Sequence, residues 1–209
     1  KIMDENIKAK EVEILTKEVE ITNTKAFEEE LGLISSDKSK AEAIACQINK
    51  VISEYADSDP VHFAKVSKKV EDIIEKMRDD KIADIEALKQ LQEISNNLKS
   101  KNKNYNLPQE IQQKNAGVFY RNLEPLLKDE NINVKQITQI TLDILQIFKQ
   151  EIKVDWHTNS EVKRVIENRI DDYLYDVVKV EKGINISNRL MQQIIKTALN
   201  LALNNLELF

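Results

Sequence analysis

Glycine and proline are scarce: the chain of 209 residues holds three of each, where average usage would give about fifteen and about ten. Sandwiches, barrels and propellers need such residues at each corner, so turn-dense β architectures are excluded. The glycines fall at Gly32, Gly117 and Gly183, and neither G-x-G-x-x-G nor a P-loop can be written around them. One cysteine, Cys46, permits no internal disulfide and suits a reducing, cytoplasmic setting. The histidines are His62 and His157, too few and too far apart for the paired ligands of a zinc site. No apolar run approaches the ~20 residues of a membrane helix. Basic charge is not in excess either. Thirty-one Lys and Arg against 36 Asp and Glu leave a net charge of −5, which disfavours a protein that coats nucleic acid through its phosphates.

What is present is helical periodicity. Apolar residues step by three and four through Ala41, Ile44, Ala45, Ile48, Val51, Ile52 and Tyr55. The same rhythm runs through Phe63, Val66, Val70, Ile73, Ile74 and Met77, then Ile82, Ile85, Leu88, Leu91, Ile94 and Leu98. It returns through Val134, Ile137, Ile140, Ile144, Ile147 and Phe148, through Val162, Val165, Ile166, Tyr173, Leu174 and Val177, and from Leu190 to Leu206. Each stripe opposes a face of Lys, Glu, Asp or Asn, as in helices that share a core. The expected fold is all-α, a multi-helix bundle.

Punctuation divides the bundle. Asp59-Pro60 reads as an N-cap with a first-turn proline, and Thr158 with Glu161 has capping-box spacing. Gly32 and Gly183 are placed to end helices in the left-handed conformation. Pro108 is expected to open a helix, and Pro125 to kink or break one. The polar run from Lys99 into Asn106 reads as a linker. The expected organisation is a helical leader over 1–35, a helical subdomain over 36–98, a linker over 99–107 and a second helical subdomain over 108–209. A first residue other than Met suggests a processed chain or a piece of a longer one.

Candidate chemistry is thin. Cys46 lies in an Ala/Ile stripe and reads as a small core residue. Glu151-Ile152-Lys153 matches the E-x-K element in which a carboxylate holds Mg²⁺ beside a lysine, but it closes a helical stripe where a strand is needed. Lys99, Lys101 and Lys103, with Tyr105, could grip a phosphate backbone and stack on a base. Lys163, Arg164 and Arg169 face neighbouring carboxylates and read as intrahelical pairs. Trp156, the sole tryptophan, sits between two helices, where it could plug a packing angle or anchor an interface.

Several segments resemble a known family. Lys38 to Ile44, Ile52 to Glu54, Asp59-Pro60-Val61-His62-Phe63, Val66-Ser67, Asn115-Ala116 with Phe119-Tyr120, and Val154-Asp155-Trp156 followed by Val162, Arg164 and Ile170 to Leu174 are similar to the C-terminal helical region of type I restriction enzyme R subunits, in order and spacing, over roughly Ser36 to Leu206. The resemblance implies a parent chain that carries a metal-dependent endonuclease and an ATP-hydrolysing, DNA-translocating motor using ATP and Mg²⁺. It implies that this region is a non-catalytic assembly and support domain with no cofactor of its own. Its partners would be the motor domains of the same subunit and the modification methyltransferase and specificity subunits, with DNA reached through the parent complex and no membrane. Phe63, Phe119, Tyr120, Trp156 and Tyr173 are the candidate architectural or interface residues. The alternatives are a stand-alone helical adaptor that binds a partner helix in a groove and a small metal-dependent nuclease using Glu151 and Lys153.

Overall fold

The computed structural model describes residues 24–99, 107–113, 116–130 and 132–209, and among these every regular element is helical. The first group is α1 (Thr24–Leu33), α2 (Asp37–Tyr55), a short 3₁₀ turn over Ala56–Ser58, α3 (Pro60–Arg78) and α4 (Asp84–Lys99). Ser36 caps α2 by accepting the Ser39 N–H at 3.1 Å. Ala41, Ala45 and Ala87 are buried, and these small side chains let α2 and α4 pack along much of their length, since the distance between helix axes follows side-chain size at the contact. Ile44, Ile48, Val70, Ile73, Met77, Leu88 and Leu91 complete this core. Asp80, left-handed at φ 54°, turns the chain from α3 into α4.

The second group is α5 (Gln109–Gln113), α6 (Gly117–Lys128), α7 (Val134–Glu151), a 3₁₀ turn over Trp156–Thr158, α8 (Ser160–Asp172) and α9 (Asn188–Leu203). A capping box opens α7: Asn133 accepts the Gln136 N–H at 3.0 Å, and Gln136 Oε1 accepts the Asn133 N–H at 3.1 Å. Helix α6 lies against α7 and α9, and α8 against the same two. A separate and larger core runs from Ile111 to Ala202.

Helix α8 passes without a break into a π-helical stretch over Tyr173–Glu181. Ile166, Ile170, Leu174 and Val178 are its buried residues, at a strict interval of four. Four residues over-rotate an α-helix by about 40°. The wider π turn under-rotates, so the change of helix type returns this stripe to the core. Gly183, at φ 63°, ends the stretch, with Lys182 N–H bonded to Val177 O at 2.9 Å and Ile184 N–H to Val178 O at 3.1 Å.

Several sequence expectations need correction. Pro125 does not break α6, which runs through it; the ring is exposed, so the lost hydrogen bond falls on the solvent side. Gly32 lies inside α1 without a positive φ. The cap of α8 is Asn159, which accepts the Glu161 and Val162 N–H groups at 3.0 and 3.3 Å, because the 3₁₀ turn moves the helix start one residue past Thr158. Thr158 Oγ1 donates to Asp155 O instead. Tyr55, Ile85, Val134, Val165 and Leu206, counted with the buried stripes, are exposed; all but Val165 sit at or next to a helix end, where the neighbouring helix no longer covers the stripe, and Val165 lies beside the α8 stripe of Ile166 and Ile170.

Candidate functional site

The two cores meet at a polar seam. The Ala56–Ser58 turn carries Asp59 to the start of α3, while Arg121 and Asn122 are consecutive on α6 and Asn205 follows α9. Arg121 Nε and Nη2 both donate to Asp59 Oδ2, the first at 2.9 Å. Asn122 Nδ2 donates to Asp59 Oδ1 at 2.8 Å, and Asn122 Oδ1 accepts the Val61 N–H at 3.1 Å. Asn205 Nδ2 donates to Ser58 O at 2.8 Å. Asp59 is 2% exposed, Asn122 5% and Asn205 6%. A carboxylate so far from water is tolerable only when paired and hydrogen-bonded, and here each oxygen is engaged. The Asp59 side chain makes no cap on its own helix, which corrects the N-cap reading: Pro60 does open α3, but the cap arrives from α6.

Aromatic residues gather around Phe119 of α6. Trp156 is buried, with its ring centroid 6.1 Å from that of Phe148 and 6.5 Å from that of Phe209. Phe119 lies 5.8 Å from Phe148 and 6.1 Å from Phe209. These separations and mostly edge-on angles suit the ring quadrupoles. Asp155, left-handed at φ 58°, makes the bend that turns Trp156 inward. Phe63 is buried at the first turn of α3, 5.1 Å from the His62 ring, and belongs to neither core.

Two tyrosines hold carboxylates. Tyr120 donates to Glu124 Oε1 at 3.3 Å; burial, then the Glu124 charge, pushes its pKa up to about 12. Tyr173 donates to Asp143 Oδ2 at 2.7 Å. Burial, reinforced by Asp143, raises its pKa far above the usual phenol range. Lys182 Nζ lies 4.0 Å from Asp143 Oδ2 and 5.9 Å from the centre of the Tyr173 ring.

The remaining candidates are scattered. Cys46 is exposed, against the expectation of a core residue, because it follows Ala45 directly and so falls off the α2 stripe. Glu151 is the last residue of α7 and pairs with Arg169 of α8 at 3.3 Å, an ion pair between helices where one within α8 was expected; Lys153 is exposed on the following loop. Arg164 pairs with Glu161 at 2.7 Å along α8. The side chains of Lys99, Lys101 and Lys103, with Tyr105, lie outside the described residues, as do residues 1–23 of the leader expected over 1–35. Among the described residues no three His, Cys, Asp or Glu side chains are grouped as metal ligands, and no helix is long and apolar enough to cross a membrane. Exposed apolar side chains include Val154, Tyr175 and Val180.

The seam was not legible as a site. Its sequence signals are Asp59-Pro60, read only as a local cap, and a pair of polar residues, Arg121 and Asn122, inside the apolar run of α6; Asn205 carries none. No family model, no curated protein and no solved structure matches this chain.

Proposed function

We propose that this chain is a non-catalytic assembly domain from the C-terminal region of a type I restriction enzyme R subunit. The observation that carries the reading is where the family-like segments fall. Asp59 to Phe63 occupy the seam, Phe119 and Tyr120 lie on the buried face of α6, and Asp155-Trp156 form the left-handed entry to α8. Residues at junctions fix the angles between helices, and a scaffold that orients other machinery depends on those angles. On this reading ATP and Mg²⁺ belong to the motor and nuclease of the parent chain, and the domain works in the cytoplasm. Its helices hold the motor domains against the methyltransferase and specificity subunits, and DNA is met through the whole complex.

Co-purification tests the proposal. The chain, mixed at micromolar concentration with the cognate methyltransferase–specificity complex, is expected to elute with that complex as one species. Elution of the two as separate species overturns the assembly role. The exposed Val154, Tyr175 and Val180 favour a second reading, an adaptor for an apolar helix. It predicts capture of an amphipathic peptide without any methyltransferase.

A further inference from the structure

The two amides of the seam, Asn122 and Asn205, each have a second partner within their own half of the molecule. Asp59 stands at the N-cap of α3, a position at which aspartate is among the best residues. Ser36, Asn133, Asn159 and Ser187, which do cap their helices, have ψ of 140°, 160°, 107° and 154°; Asp59 has ψ of 70°. Its carboxylate is turned away from α3 and given to α6. In exchange Asn122 caps α3 at Val61, 61 residues away in sequence. Asn122 Nδ2 also donates to Val118 O, and Asn205 Nδ2 to Leu201 O, and these bonds lie wholly within the second half. Glu124, one turn beyond Arg121 on α6, already takes Lys128 at 2.8 Å and Tyr120 at 3.3 Å on Oε1, and an i,i+3 pair with Arg121 would add to these.

We propose that the seam is a two-state latch between the two helical halves. In the closed state α3 is capped from α6 and Asp59 is paired with Arg121. In the open state Asp59 turns back to cap α3 itself, Arg121 meets water and Glu124, and the halves separate as rigid bodies, each with its own core. Opening strands no buried polar group, which is what makes a second state accessible: an unpaired buried charge or amide would forbid it. Phe63, buried beside the latch and outside both cores, weights the closed state. The latch is a property of these side chains and does not depend on the assembly reading.

Cys46 is exposed on α2, and a second spin label at Asn168→Cys on exposed α8 surface reports the distance between the halves. The otherwise unchanged chain should give one narrow distance. Asp59→Ser keeps a capping residue but cannot pair with Arg121, and Arg121→Met removes the pair from the other side. Both should show a second, longer distance in over about half of the molecules, against under about a tenth before substitution, with the helical circular dichroism retained. A single unchanged distance in both variants overturns the latch, and so does loss of the helical signal in Asp59→Ser. The cap exchange has its own readout. Amide exchange at Val61 and His62 should be at least about tenfold faster in Asp59→Ala than in Asp59→Ser, because only serine can cap. Equal rates would refute the exchange.

Discussion

The two halves of this molecule solve the same problem with different materials. The first packs alanine against isoleucine, leucine, valine and methionine, with no aromatic ring among the described residues of its core. The second is larger and is built around Phe119, Tyr120, Phe148 and Trp156. An alanine-lined contact brings helices close but buries little apolar area, and stabilisation scales with that area at about 25 cal/mol per Å². Rings bury 150–250 Å² apiece as a rule. The second half therefore carries most of the stability. The first, with the smaller core, gains from being held at the seam.

The largest effect that would sharpen this comparison is at the ring cluster. Trp156→Ala should cost about 3–5 kcal/mol, read as a lowered urea midpoint by circular dichroism, with amide protection lost across α6 to α9 first. A cost under about 1 kcal/mol would mean that the aromatic cluster is not what distinguishes the second core. A smaller effect is expected from Ala87→Leu, which forces a larger side chain between α2 and α4 and should cost about 1–3 kcal/mol. Its exchange signature should be confined to α2, α3 and α4; equal loss in both halves would break the comparison.

The smallest effect is set by pH. The Tyr120 phenol has its folded pKa raised from 10.0 to about 12, so the folded state holds its proton after the unfolded chain has released it. That contribution is fully present below the unfolded value of about 10 and is lost as pH rises from there to about 12. Tyr173 is raised in the same direction and adds to the loss. Stability should thus be flat across neutral pH and fall in alkali, and Tyr120→Phe with Tyr173→Phe should flatten that fall. An unchanged alkaline slope in the double variant would assign the effect to other groups.

Helices were legible wherever the apolar stripe was long, as in Ile137 to Phe148 or Leu190 to Ala202, because a three-four rhythm of apolar side chains has one economical burial. Helix ends were less so. Asn159 took the cap from Thr158 once a 3₁₀ turn intervened, and Pro125 was carried because its ring faces solvent. The π stretch could be suspected only from the strict interval of four from Ile166 to Val178. The seam was hidden for a different reason: Asp59 and Arg121 are 62 residues apart, and nothing local in either segment requires the other.

Composition and periodicity by themselves determined that this chain is a set of amphipathic helices with sparse turns, since glycine and proline are too few for any other architecture and the stripes must find a shared interior. Tertiary structure alone decided which rings meet around Phe148 and that α3 takes its cap from α6. Local energies settle whether a segment coils. Which carboxylate pairs with which guanidinium is settled only when distant segments exclude water from the same space.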